Sequence, residues 1–385
     1  MGTVSTKSDK PGSAGNAGSA EARRADGEAD GLRKAAHLDI CIDEKQYDVE
    51  GGSSGFEEVR FLHRALPELA EPDVQTETEF FGHPVRLPIF ISSMTGGSDH
   101  GYNANKELAR AAQACGIPVG MGSIRIIFRK PEVIEHFQLK RYAPDVPVFA
   151  NIGGVQLIEM DHDVLYEGIK RLEVQGIAVH LNPGQELFQP EGDRDFRGIA
   201  AATARFTESS PVPVLVKETG FGIDPISARM LLESGAQYID VAGSGGTNWV
   251  QVERHRLSGA AGEAAEEFRS WGIATAPLLA ALRALGVPRG RLLASGGVRN
   301  GLDISKALAL GAHSVGLALP FIRAVHAGGY EAVTELIGRY EKVLRSAMVL
   351  SGCSTLQELA TATLLTSSSF REQRDALIEA GRVEL

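Results

Sequence analysis

Eight apolar runs of β type, each followed by an amphipathic helical stretch, occupy the chain from residue 87 onward and leave few folds open. They are LPIFISSM (87–94), PVGMGS (118–123), VPVFANI (146–152), AVHLN (178–182), PVLVKET (213–219), YIDVAG (238–243), RLLASGG (291–297) and HSVGLALP (313–320). Helical patterns fall between them, among them 103–115, 162–175, 225–233 and 301–310. Strands alternating with helices build parallel sheets. Eight such units predict an α/β fold, the (β/α)8 TIM barrel. An open doubly wound sheet would announce its first strand-to-helix turn with GxGxxG, and none follows residues 87–94.

The rest of the chain is arranged around that barrel, assigned to 87–350. Residues 1–32 are rich in Gly, Ala, Ser and charge and read as a disordered polar tail. Its acidic residues (Asp9, Glu21, Asp26, Glu28, Asp30) argue against a transit peptide. Residues 33–86 form an N-terminal segment. Its TETEFFG–HPVRLP stretch (76–88) predicts a β-hairpin plugging the N-terminal face of the barrel. Residues 351–385 read as a helical C-terminal extension. Between the sixth and seventh strands a polar insert, Gly245 to Arg269, carries Trp249, His255 and Arg256. At the C-terminal face of a barrel such an insert is expected to be a lid or binding loop.

Composition excludes several functions. A net charge of −10 with no Lys/Arg-dense stripe argues against a nucleic-acid surface. No apolar run reaches the roughly 18 residues that span a bilayer, so no membrane partner is expected. Cys41, Cys115 and Cys353 are far apart and show no CxxC spacing, which fits a reducing cytoplasm.

The chemistry gathers at the strand ends. His180-Leu181-Asn182-Pro183-Gly184-Gln185-Glu186 closes the fourth strand. Alternation puts His180 and Asn182 on one face, and the Pro-Gly turn holds Gln185 and Glu186 just beyond. No Lys or Arg stands within this run to neutralise Glu186, which suggests a hard cation or a proton-handling role; a satisfied loop carboxylate and a core histidine would give the same letters. The seventh strand ends in Ser295-Gly296-Gly297-Val298-Arg299-Asn300-Gly301 and the eighth in Gly316-Leu317-Ala318-Leu319. Small residues there let backbone amides close on a phosphate. Gly243-Ser244-Gly245-Gly246-Thr247 offers another close backbone approach, or a plain flexible turn. Lys217 ends the fifth strand, where a cation in a barrel mouth is costly unless it meets an anion; a surface pair with Glu218 is the alternative. Ser92, Ser93, Met94, Thr95, Gly96 and Gly97 end the first strand, Ser123 and Arg125 the second, and Asn151 the third. These ends imply a large flat cofactor at the mouth, anchored by its phosphate, and FMN fits that outline.

The assembled motifs resemble type 2 isopentenyl-diphosphate isomerase, the FMN-dependent family. The pieces are RKAAH (33–37), SMTGG (93–97), GSIR (122–125), FANIG (149–153), HLNPGQE (180–186), VKETGFGI (216–223), GSGGTNW (243–249) and ASGGVRNG (294–301). The resemblance implies interconversion of isopentenyl and dimethylallyl diphosphates without net redox change. FMN, reduced by NADPH, would be the acid/base catalyst, and Mg2+ would sit on the substrate diphosphate with Glu186 as its protein contact. It implies Gln185 and His180 as catalytic, with Gln185 against the hydrocarbon end of the substrate. Arg33, Lys34, His37, Ser123, Arg125, Asn182 and Gln185 would bind the substrate, the first three from a neighbouring subunit of a homotetramer or homo-octamer. Ser93, Met94, Thr95, Ser123, Asn151, Lys217, Thr247, Gly297, Arg299, Ala318 and Leu319 would hold FMN.

The chain departs from the family pattern in its tail, at Ile124 where Gln is common, and at Asn248 where Ser is common. Two departures touch motif loops and bear on substrate selectivity, leaving a related prenyl diphosphate open. A 2-hydroxy acid oxidase of the same fold would want a His base on the sixth-strand loop, which reads Gly-Ser-Gly-Gly-Thr here. A non-catalytic flavin-binding sensor would not need Gln185, Glu186 and Lys217 together.

Overall fold

The computed structural model describes residues 33–96 and 98–383; the tail 1–32 and Gly97 of the SMTGG motif lie outside the described residues. Three short strands precede the barrel: β1 (Val59–Phe61), β2 (Thr78–Phe80) and β3 (His83–Val85). The barrel strands are β4 (Ile89–Ile91), β5 (Val119–Ser123), β6 (Val148–Gly153), β7 (Gly176–Leu181), β8 (Val214–Glu218), β9 (Tyr238–Asp240), β10 (Leu292–Ala294) and β11 (Ser314–Leu317). They pair in sequence order, and β11 closes on β4. Every pairing is parallel. This is the (β/α)8 barrel that the alternating runs predict. Beyond it, β12 (Leu364–Thr366) pairs antiparallel with β1, so the C-terminal extension carries a strand between its helices that the helical reading of 351–385 lacks.

The hairpin of β2 and β3 closes on a two-residue turn, Phe81 at φ 52° and Gly82 at φ 76°. Positive φ at both positions is the twist-matched hairpin turn. A bulky aromatic seldom adopts it; here Phe81 is held by burial, at 5% exposure. Phe80 and Phe81 pack with Val85, Phe90, Phe149, Ala178, Leu215 and Leu293, closing the N-terminal end of the barrel as a dry cluster. Gly176 makes room for it, since a Cβ there would lie 2.4 Å from the Phe81 ring.

At the other end, residues 33–42 form a helix. Its Leu38, Ile40 and Cys41 pack on Val49, Ala104, Val252, Leu319 and Ile322. The N-terminal segment therefore serves both ends of the barrel, with its helix over the mouth and its hairpin under the floor. None of the described helices is long and apolar enough to cross a membrane.

Candidate active site

Strand register assembles the first wall of the site. Lys217 pairs with His180 on one side and Asp240 on the other, and His180 pairs with Gly153. Paired residues of parallel strands share a face, so three polar side chains run in a row across β7, β8 and β9. Lys217 is 7% exposed and Asp240 0%. Burial pushes the Lys217 amine below its ordinary range, and the neighbouring Asp240 and Glu218 charges pull it back. Burial likewise pushes Asp240 up, against Lys217 and a hydrogen bond from Ser295 Oγ at 2.9 Å. Lys217 Nζ donates to the Glu218 carbonyl at 2.6 Å. The Glu218 carboxylate turns away, accepting from the backbone N–H groups of Gly220, Phe221 and Gly222 at 2.6, 2.5 and 3.2 Å. Lys217 and Glu218 are thus both buried, with separate tasks, and are not a surface ion pair.

His180 Nδ1 lies 2.7 Å from Asn151 Oδ1. With that oxygen accepting, the proton sits on Nδ1 and Nε2 keeps its lone pair. Burial, followed by the charges of Lys217, Arg125 and Lys34, drives the imidazole pKa down to about 3. A neutral ring is what this cationic enclosure enforces.

Beyond β7 the chain turns at Pro183 into the short helix Pro183–Phe188. Asn182 Nδ2 donates to Gln185 Oε1 at 3.1 Å and to Glu186 Oε1 at 3.0 Å. The other Glu186 oxygen accepts from the Asp193 N–H at 2.9 Å. One amide thus orients both residues of the Gln-Glu pair. Gln185 Nε2 donates in turn to Glu253 Oε1 at 3.2 Å.

The insert 245–269 brings that glutamate. It folds into helices Trp249–Arg254 and Ala260–Glu266, the first capped by Asn248, whose Oδ1 accepts from the Val250 and Gln251 N–H groups at 2.9 and 3.2 Å. Asn248 also donates to the carbonyls of Phe268 and Arg269, so this departure from the family pattern holds the insert together and does not line the site; Ile124, fully buried, does not line it either. Trp249 and Glu253, four apart on the same helix, face the N-terminal helix. His37 Nε2 is 2.8 Å from Glu253 Oε1, and its ring meets Trp249 edge-on at 5.4 Å. Burial works against the Glu253 carboxylate, but hydrogen bonds and charge from His37, Arg256 and Gln185 outweigh it and hold it below the usual range. Arg256 also reaches Glu191 at 2.9 Å, and Arg33 Nη1 donates to Gln189 Oε1 at 2.6 Å. His255 points elsewhere, onto Tyr47.

Within the chain, Arg33, Lys34 and His37 line the mouth from the helix at 33–42. The apolar stripe of Leu38, Ile40 and Cys41 fastens that helix over the mouth.

The opposite side is built from backbone. Gly296 and Gly297 have φ of 94° and 71°. A Cβ on Gly296 would lie 2.1 Å from the Gly243 carbonyl oxygen, and one on Gly297 would lie 2.5 Å from Ser54 Cβ. Only glycine fits, and both residues line the cavity beside Arg299, Ala318 and Leu319. Leu319 starts the helical run Leu319–Ser351, which is interrupted at Gly328 and Gly329, and the N-terminus of its first part faces the same space. Ala242, also lining the cavity, has φ 40°; a non-glycine residue held there is strained. On the adjoining wall Ser93 Oγ and Thr95 Oγ1 are buried with no hydrogen-bond partner among the described residues, as expected where a bound group would supply it. One cavity reaches all nineteen candidate residues, from Arg33 through Ser123, Met94 and Arg125 to Thr247.

Sequence reasoning missed Glu253, Asp240 and Glu50. Glu253 carries a signal, its four-residue spacing from Trp249. Glu50, which ion-pairs with Arg299, carries none.

Comparison with known proteins follows this division of the site. A family profile described as FMN-dependent dehydrogenase matches residues 43–130 and 196–366. Between the two matches lie β6, β7 and the HLNPGQE turn. The chain is 43% identical over 338 residues to an isopentenyl-diphosphate delta-isomerase of Borrelia garinii, covering 87% of this chain and 93% of that protein. It is 40% identical to the protein so named in Halobacterium salinarum, covering 88% and 94%. Among solved structures, a lactate oxidase of Pediococcus acidilactici superposes with TM-score 0.60 at 19% identity, covering 91% of this chain and 94% of that one. A mandelate oxidase superposes with TM-score 0.58 at 20% identity, covering 87% and 97%. At such identities the solved structures speak to the fold alone.

Proposed function

The chain belongs to the FMN-dependent dehydrogenase family and, within it, to the isopentenyl-diphosphate delta-isomerases, and from that membership we propose that it interconverts isopentenyl and dimethylallyl diphosphates. The observation that carries this reading is the turn after β7. It lies in the segment that the dehydrogenase profile leaves unmatched, and its amide-bridged Gln185 and Glu186 face a cavity whose other wall is shaped for a phosphorylated ring.

The residues fit FMN. The unpartnered Ser93 and Thr95 hydroxyls and the buried Lys217 ammonium suit the polar edge of an isoalloxazine ring. The glycine cradle and the Leu319 helix N-terminus suit its phosphate. Met94, Ser123, Asn151, Thr247, Gly297, Arg299 and Ala318 complete that set. Bound and reduced by NADPH, FMN supplies an electron-rich ring face and a ring nitrogen for acid/base work.

The donor set also fits Mg2+ carried by the substrate. Among the described residues no group of three or more His, Cys, Asp or Glu gathers as a metal cage. A single carboxylate plus phosphate oxygens is the ordinary way a protein holds Mg2+. Glu186, oriented by Asn182 and the Asp193 N–H, supplies the carboxylate. Arg33, Lys34, His37 and Arg125 bring positive charge and donors to the diphosphate.

The isomerisation adds one proton and removes another, with no net electron transfer. His180 serves as a neutral wall: with its proton on Nδ1 it accepts at Nε2 and adds no cation beside the hydrocarbon. Gln185, held between Asn182 and Glu253, would present an oriented amide to the hydrocarbon end of the substrate, backed by a buried carboxylate. The reading extends to a cytoplasmic homotetramer or homo-octamer.

The deciding experiment is an anaerobic assay of isopentenyl diphosphate with FMN, Mg2+ and NADPH. The expected result is many turnovers to dimethylallyl diphosphate with sub-stoichiometric NADPH consumption. Bound, reducible flavin without product would redirect the reading to a different prenyl diphosphate; NADPH consumed in step with product would make the enzyme an oxidoreductase.

A further inference from the structure

The N-terminal segment does more at the mouth than deliver Arg33, Lys34 and His37. Residues 49–54 run as a strap across the loops that follow β9 and β10. Gly51 N–H donates to the Gly246 carbonyl at 3.2 Å, Gly245 N–H to the Gly51 carbonyl at 3.0 Å, and Asn248 N–H to the Val49 carbonyl at 2.8 Å. Glu50 forms a β-bridge with Thr247. Ser244 Oγ donates to the Ser53 carbonyl at 3.1 Å, and Ser54 is the residue against which Gly297 packs. The backbone of Glu50 is therefore pinned to one loop of the glycine cradle.

Its side chain reaches the other loop. Glu50 Oε1 accepts from Arg299 Nε at 2.7 Å and also from Arg299 Nη2. Arg299 Nη1 donates to the Val298 carbonyl at 2.8 Å. A guanidinium has five N–H donors in a rigid planar fork. These three contacts take three of them and leave one N–H on each terminal nitrogen to donate to an oxyanion. Arg299 lines the cavity, while Glu50 stands outside it. The ion pair is partly exposed, 32% for Arg299 and 38% for Glu50, so it adds little to folding. What it does is fix the fork.

We infer that Glu50 is a positioning residue that orients Arg299 toward the phosphate of a bound flavin, making the strap a working part of the cofactor site. This rests on the FMN reading above, because it gives Arg299 a phosphate to meet. A free Arg side chain would lose rotamer freedom on each binding event. Held by Glu50 and the Val298 carbonyl, it has lost that freedom already. Recognition of the phosphate, as distinct from the ring, is what Glu50 strengthens.

The test uses the full-length apoprotein titrated with FMN and with riboflavin, followed by quenching of flavin fluorescence, with thermal melting as the folding control. Wild type is expected to favour FMN. Glu50→Ala is expected to lose about tenfold in FMN affinity, an ordinary coupling between contacting residues, with riboflavin affinity and the melt unchanged. Glu50→Gln keeps the accepting oxygen and is expected to stay within about twofold of wild type. In an Arg299→Ala background, Glu50→Ala should cost nothing further. Unaltered or tighter FMN binding by Glu50→Ala overturns the inference, tighter binding meaning that Glu50 competes with the phosphate. Equal losses for FMN and riboflavin also overturn it, reducing Glu50 to a support for the loop. A wild-type protein that binds neither flavin, or binds both alike, overturns the FMN-phosphate reading itself, a result separate from every outcome of the variants.

Discussion

The two ends of this barrel are made of the same eight strands and share almost nothing chemically. At the floor, Phe80, Phe81, Phe90, Phe149, Leu215 and Leu293 pack without a charged group among them. At the mouth, Lys217, Asp240, Glu218 and Glu253 are buried at 7%, 0%, 6% and 0% exposure, each held by neighbours and with its ionisation displaced. The floor is where the barrel gains stability and the mouth is where some of it is given up, because burying charge is costly even when it is paired. A chain with both ends apolar would be more stable and inert.

This contrast is exposed to direct attack. The largest effect is expected from Phe80→Ala, which removes a fully buried ring from the plug and should cost about 3–5 kcal/mol. Denaturant midpoints measure it, and turnover per folded molecule at low temperature should survive. Loss of activity in molecules that remain folded would show that the two ends are not separable. Next is Glu186→Gln at the mouth, expected to lower Mg2+-dependent turnover by about 100-fold, the upper scale for disturbing a metal's surroundings, while leaving denaturant midpoint and flavin content alone. A shifted midpoint would make Glu186 part of the scaffold.

The smallest effect near neutral pH is that of His180, and it grows only on acidification. His180 titrates near 6.5 when unfolded and at about 3 when folded. Between those values the unfolded chain binds the extra proton, so stability falls as pH drops from about 6.5 toward 3. His180→Gln should flatten that slope in urea midpoints taken across the window, and an unchanged slope would remove His180 from the set of enforced neutral groups. Floor variants should leave the slope untouched.

The barrel was readable because its strands are apolar runs bounded by turns, and the plug because TETEFFG and HPVRLP flank a glycine. The reactive turn was readable because four polar residues follow a strand end. Other parts were not, for a common reason. β12 is three residues long and exists by pairing with β1, some three hundred positions away. Glu50 meets Arg299 across 249 positions, and Glu253 meets Gln185 across 68. Local patterns report what a segment does alone; these residues acquire their roles from partners that only the closed barrel brings near.

The plug carries a consequence for how the chain is made. Phe80 and Phe81 leave the ribosome before any of the strands they cover, and Leu293, one of their partners, follows more than two hundred residues later. Until β10 and β11 complete the ring there is no floor to receive them, and a growing chain must carry two adjacent aromatics in water or park them on something else. A hairpin made ahead of the barrel strands would thus dock only once those strands have come together. Docking the hairpin would also steady the strap and the mouth helix of the same segment. For this protein, release from a chaperone and readiness to bind its cofactor would then be one event seen from opposite ends.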